Sequence, residues 1–243
     1  MRNIWTIGIR EYKHYFSSPI AYAVAFVIML IVGILFYVNL VSYANYGMAP
    51  GIQIVIGPLV TLLLFTTPAV TMNTMADEQK TGTLELLLTA PVRDHEIIIG
   101  KWFGGFLFIL TILLASWIFP IILNQLVSPG IDQGELLASY LGLALMCAAF
   151  VAIGIAASSL FSNQIAAFFL TLGIIMALWM ISYPAQSMGA GGGEIVRYLD
   201  LGEHFYSTFY KGLIDLKDVI YYLSLTAVSL FLGSVSVESR RWR

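Results

Sequence analysis

Six stretches of this chain, at 20–41, 54–75, 102–123, 136–160, 165–183 and 219–237, contain no Asp, Glu, Lys, Arg or His at all. Each is close to the roughly 20 residues that an α-helix needs to cross about 30 Å of hydrocarbon. Within lipid a backbone must satisfy its own hydrogen bonds, and runs of this length do so as helices. The chain is 59% hydrophobic, only 11% charged, and has a mean hydropathy of +0.85. The expected fold class is therefore an all-α integral membrane protein with six transmembrane helices, forming one membrane domain over 1–243 with no internal repeat.

The charge-free runs also narrow the function. Ion-coupled carriers usually hold intramembrane ionisable residues as a relay or counter-ion, so a proton- or sodium-driven carrier is disfavoured. A net charge of −2 gives no global basic field, and nucleic acid is not an expected partner. The single cysteine, Cys147, lies in an apolar run and reads as a buried, inert thiol. His14, His95 and His204 share no face, and His95-Glu96 lacks the second histidine of a zinc helix. No nucleophile elbow, Cys-His pair or acid dyad is present, and the glycines at 189–193 are followed by no Lys-Ser or Lys-Thr. The chain reads as a non-enzyme with no cofactor of its own.

Residues 2–16, wound as a helix, gather Arg2, Asn3, Thr6, Arg10 and Lys13 on one arc and Ile4, Trp5, Ile9, Tyr12, Tyr15 and Phe16 on the other. That pattern predicts an amphipathic interfacial helix, with a helix packed on a soluble partner as the alternative. No cleavable signal is expected ahead of the first span. With both termini cytoplasmic, nine Lys and Arg residues face the cytoplasm and three, Arg197, Lys211 and Lys217, face outward. Pro58, Pro68 and Pro120 predict kinks in the second and third spans. Alanines at 144, 148, 152 and 156 form a small-residue ridge suited to close helix packing, within the chain or with a second copy. The aromatic-rich segment 184–218 suggests an external re-entrant or interfacial helix pair, or a surface helix packed on a partner.

Between the second and third spans, segment 76–101 holds eight charged residues between Asp77 and Lys101. At about 2.5–3.5 kcal/mol for each of the costlier charges at a bilayer centre, burying it in lipid would cost on the order of 20 kcal/mol. It must lie in water. Leu84, Leu87 and Leu88 nevertheless fall on one helix face, and Pro91 ends that helix. Asp94 is placed to cap the next one, with Glu96 in its first turn.

This hub carries a family resemblance. The stretch from Glu78 to Pro91, EQKTGTLELLLTAP, followed by Gly100-Lys101, resembles the Glu-x-x-x-Gly-Thr-Leu-Glu-x-Leu-Leu-x-x-Pro motif of ABC-2 type transporter permeases. The short length, the amphipathic N-terminus and Ser18-Pro19-Ile20-Ala21-Tyr22 are most similar to the gliding-motility-associated subgroup. The resemblance implies a permease subunit, with export as the expected direction, in the plasma (inner) membrane of a prokaryote. It implies a second permease copy, in a homodimer or heterodimer, and separate ATP-binding subunits that hold ATP and magnesium. Membrane lipids and an auxiliary envelope protein complete the expected partners.

The resemblance makes the hub a coupling helix seated in a groove of the ATPase, a mode in which apolar anchors on one face do the docking. Leu84, Leu87 and Leu88 would anchor it, Glu78, Lys80 and Glu85 would make charged rim contacts, and Thr83 and Pro91 belong to the same motif. Gly82 would permit a close backbone approach or an unusual dihedral. The alternatives are packing of the hub on its own bundle and, for the whole chain, a non-transporting membrane scaffold or envelope-machinery subunit.

Overall fold

A computed structural model describes residues 2–82, 92–185 and 196–241; they are helical, with no strand among them. In chain order the helices are α1 (Arg2–Ser17), α2 (Pro19–Asn45), α3 (Gln53–Thr71), α4 (Asn73–Thr81), α5 (Asp94–Ala115), α6 (Ile118–Leu126), α7 (Gln133–Leu160), α8 (Gln164–Met180), α9 (Ser182–Ala185), α10 (Leu201–Tyr206) and α11 (Leu216–Arg241). A 3-10 turn, Phe209–Lys211, follows α10. Five helical units among the described residues are long and apolar enough to cross a membrane: Ala21–Asn45, Gln53–Thr81, Asp94–Leu126, Gln133–Leu160 and Leu216–Ser239. The apolar run at 165–183 instead yields the 17-residue α8, because the helix stops at Met180 and turns at Ile181. At 1.5 Å per residue α8 is about 25 Å long.

The spanning helices run beyond the uncharged stretches that define them. Lys101 and Asp218 consequently lie on the same helices as the third and last apolar runs, and both are buried. Each is hydrogen-bonded to partners from other elements. His204 Nδ1 lies 2.6 Å from Asp218 Oδ1, and His204 Nε2 lies 2.8 Å from the Tyr198 carbonyl, so both ring nitrogens face acceptors. The Tyr221 ring stacks on this histidine at 3.9 Å. These contacts pin the Tyr198–His204 stretch to the start of α11.

At the centre stands α7, whose small residues allow neighbours to approach on several sides. A Cβ at Gly142 would collide with Phe209, and one at Gly154 would collide with the Thr71 side chain. Phe209 is fully buried there and its carbonyl accepts from Ser139 Oγ at 3.0 Å, so the 3-10 turn packs into the bundle. On the alanine ridge, Ala156 meets Gly233 of α11, which makes at least this part of the ridge an intrachain contact. Asp132 caps α7 by accepting from the amides of Gly134 and Glu135.

Two of the three prolines sit near breaks. Pro120 has no N–H to return to Ser116, so the Ser116 carbonyl instead accepts from Phe119 at 3.1 Å and the helix is interrupted between α5 and α6. The second span breaks at Met72, four residues past Pro68, whereas Pro58 lies within an unbroken α3. Asp94 does not cap α5. The helix already includes Asp94, and Glu96 reaches back to accept from the Arg93 amide at 3.2 Å, the carboxylate half of a capping box.

The amphipathic α1 lies on α5 through a glycine seam. Cβ atoms at Gly100 and Gly104 would fall 2.7 Å from Ile7 Cβ and 2.5 Å from Glu11 Cβ, so the two backbones touch where a side chain would separate them. The buried stripe, Ile7, Gly8 and Glu11, falls on the flank of the expected apolar arc and leaves Trp5 60% exposed. Gly104→Leu should pry α1 from α5 and cost about 1–3 kcal/mol, the usual penalty of overpacking. Gly173→Ala adds a Cβ that meets nothing and should be neutral or slightly stabilising. Thermal unfolding of the two variants in detergent, followed by circular dichroism, checks the contrast.

Candidate functional site

The hub is entered through α4, the continuation of α3 past the Met72 break. That break frees backbone groups which the helix itself does not satisfy, and Ser158 of α7 takes them up. Its Oγ accepts from the amides of Met75 and Ala76, both at 3.1 Å, and donates to the Met72 carbonyl at 3.0 Å. One turn later Gln79 Nε2 donates to the Ser159 carbonyl at 2.9 Å, and the side chains of Asp77 and Gln164 meet. Thus α4 is fastened to α7 and α8 along its length.

On the other side the fastening is ionic. Lys101 of α5 is 1% exposed, and its three ammonium protons point at three acceptors: Glu78 Oε1 at 2.8 Å, the Thr74 carbonyl at 2.9 Å and Glu11 Oε1 at 3.0 Å. A buried ammonium is tolerated only when paired and fully hydrogen-bonded. Lys101 meets both conditions by drawing α1, α4 and α5 to one point. Glu11 also lies 3.4 Å from Arg10, which is largely exposed and adds little. Beside the cluster, the Tyr15 hydroxyl contacts Thr74 Oγ1 at 3.2 Å and the Val70 carbonyl at 3.3 Å. Burial, with the nearby Glu11 charge adding to it, pushes this phenol up to about 12, so it stays neutral across the physiological range.

The expected coupling residues fall into four groups. Glu78 turns inward onto Lys101, and only about a fifth of its side chain is exposed. Lys80 is exposed on the last turn of α4. Gly82 ends that helix in the left-handed region at φ 73°, the unusual dihedral that glycine adopts readily, and among the described residues no atom lies within 4 Å of where a Cβ would be. Thr83, Leu84, Glu85, Leu87, Leu88 and Pro91 lie outside the described residues.

Glu11, Thr74, Ser158, Ser159 and Gln164 are the members that sequence reasoning missed. One signal was present for Glu11: Gly100-x-x-x-Gly104 brackets Lys101 on a helix, and any helix seated on that seam must face the lysine. Nothing local marks the serines, whose partners on and beside α4 lie 80 or more residues away. The described residues bring no three His, Cys, Asp or Glu side chains together as a metal site. What the arrangement can do is mechanical, because a displacement of α4 is delivered directly to α1, α5, α7 and α8.

Lys101→Met would remove the buried cation that Glu11 and Glu78 share, leaving Glu11 only its exposed Arg10 contact, and should cost about 3–5 kcal/mol, as for other broken buried pairs. The triple variant Lys101→Met, Glu11→Gln, Glu78→Gln should recover most of that loss. Chemical unfolding in detergent, comparing the two variants with wild type, measures both.

Residues 42–200 of the 243 match the family model described as ABC-2 family transporter protein. No curated protein matches the chain. The matched region includes the hub, Glu78, Lys101 and the serines of α7, and begins after α1 and therefore after Glu11. Members of this family are non-catalytic membrane components that typically work with ATPases carried on separate subunits. With more than half its length matched and five helices fit to cross a bilayer, the chain belongs to the ABC-2 transporter family as a multi-pass permease subunit.

Proposed function

We propose that this chain is a six-span half-transporter whose 76–101 segment docks on a separate ATP-binding subunit and passes that subunit's movement into the membrane. The observation that supports it best is the fastening of α4, the helix leading into the hub, by Lys101 on one side and Ser158 and Ser159 on the other. A hub on a loose tether would dissipate a push; one joined to four helices would pass it on. Leu84, Leu87 and Leu88 serve as apolar anchors, with Glu85 and Lys80 at the charged rim and Thr83, Gly82 and Pro91 shaping the segment. Glu78 acts from within, holding α4 to Lys101.

α8 counts as the sixth span in this reading, since 17 residues is the lower limit for crossing and local thinning of the bilayer accommodates it. Both termini and the hub then face the cytoplasm, which agrees with the excess of Lys and Arg there. α1 lies at the cytoplasmic interface with Trp5 turned outward, and 184–218 closes the outer side. The membrane is the plasma (inner) membrane of a prokaryote and transport is outward. A second permease copy completes the path, and ATP and magnesium act on the partner ATPase. The Ser18–Tyr22 stretch and the short length support the gliding-motility-associated subgroup, with an auxiliary envelope protein among the partners. Alternating exposure of the path follows from the ATPase binding one arrangement of the hub more tightly than the other.

Affinity purification from the native membrane tests the docking role. Wild type should bring down a Walker-motif ATPase with measurable ATP turnover, and Leu87→Asp combined with Glu85→Lys should lose it while remaining folded. Ser158→Ala should keep the ATPase bound but lower transport per ATP, because it loosens the α4 attachment and leaves the docking face intact. A folded Leu87→Asp, Glu85→Lys variant that retains the ATPase with normal turnover would remove the hub from the docking role, and absence of any ATPase would favour a scaffold.

A further inference from the structure

A cavity of about 730 Å³ opens beside the Lys101 cluster, between α1, the first turns of α2, the α3–α4 junction and α5. That volume is ordinary for a site that takes a small molecule or a headgroup. Its two ends differ in chemistry. One wall is apolar, formed by Ala21 and Val24 of α2, Ala69 and Val70 of α3, and Phe108 of α5. The other is charged, with Glu11, Asp77 and Glu78 against Arg10 and Lys101, three carboxylates to two fixed cations. Lys101 has already committed its three protons to protein acceptors, so it offers nothing further to a ligand. Arg10 and His14 are both exposed on α1.

A ligand matching this lining has an apolar body, a cationic group able to donate hydrogen bonds to carboxylates, and an anionic group for Arg10 and His14. The cavity lies at the elbow where the amphipathic α1 meets a membrane-spanning helix, the depth at which phospholipid headgroups sit. We propose that it holds the headgroup of a zwitterionic aminophospholipid. The ammonium points toward Asp77 and the neighbouring carboxylates, the phosphate toward Arg10 and His14, and an acyl chain runs along Val24 and Phe108. A quaternary ammonium has no N–H to donate, and an anionic headgroup without an amine would bring no cation to Asp77, whose carboxylate meets the neutral Gln164 amide. The apolar wall selects a membrane lipid over a soluble aminophosphate. This inference needs only the membrane setting and not the coupling role of the hub.

Native mass spectrometry of the delipidated full-length chain, in non-ionic detergent with equal amounts of phosphatidylethanolamine, phosphatidylcholine and phosphatidylglycerol, tests it. Phosphatidylethanolamine should be retained in preference to the other two. Val24→Trp, which fills the apolar end, and Asp77→Asn, which keeps an acceptor for Gln164 but removes the charge, should each lower that retention roughly tenfold, as expected for losing a charge-assisted contact or its shaped wall. Helix content by circular dichroism confirms that each variant folds. Soluble glycerophosphoethanolamine at the same concentration should not compete. Equal retention of the three lipids, full retention by a folded Asp77→Asn variant, or effective competition by the soluble headgroup would each overturn the proposal. Because the permease is measured alone, failure here leaves the ATPase co-purification result untouched, and the reverse also holds.

Discussion

One ammonium group organises the hub end of this molecule. Lys101 sits on a helix whose later turns are strongly apolar, and it is almost completely shielded from water. Its burial is tolerable because three acceptors from two other helices converge on it, and the convergence fixes where those helices run. Glu11 ties down α1, while Glu78 and the Thr74 carbonyl tie down α4. A fully apolar contact of the same size could be as stable. It would not demand the same register, because each proton of the lysine requires its own acceptor.

The glycine seam makes that geometry possible. Gly100 and Gly104 remove the side chains that would hold α1 away from α5, and only then can Glu11 come within 3.0 Å of Lys101. On the opposite side of α4, Ser158 fills the backbone positions that the Met72 break leaves open. A break held in this way is a defined joint and not a loose one. The second span therefore reaches the hub through an interrupted helix whose joint is anchored on α7.

Much of this was legible beforehand. The uncharged runs gave five of the spanning helices and the shorter α8, because the cost of exposing backbone and charge to lipid leaves few options for such sequences. The break near Pro120 followed from a missing N–H, and a helix over 2–16 followed from helical periodicity. The burial of α1 was less visible, since its buried stripe includes Glu11, a residue that belongs to neither arc of the wheel. The expected spans also differ in extent from the helices that contain them, for a related reason. They stopped where charge began, whereas the helices continue and carry Lys101 and Asp218 inward.

The division has a physical basis. Bilayer-crossing segments, helical periodicity and family motif are local properties, written in consecutive residues and readable in order, so the sequence alone determined a helical membrane permease with a charged hub between two spans. Pairing is not local. Glu11 and Lys101 are separated by 90 residues, Gln79 and Ser159 by 80, and His204 meets Asp218 only because a helix and a 3-10 turn fold back between them. Which charge neutralises which, and which serine repairs which break, was decided by tertiary structure, where a buried polar group selects its partner by proximity and geometry across the whole chain.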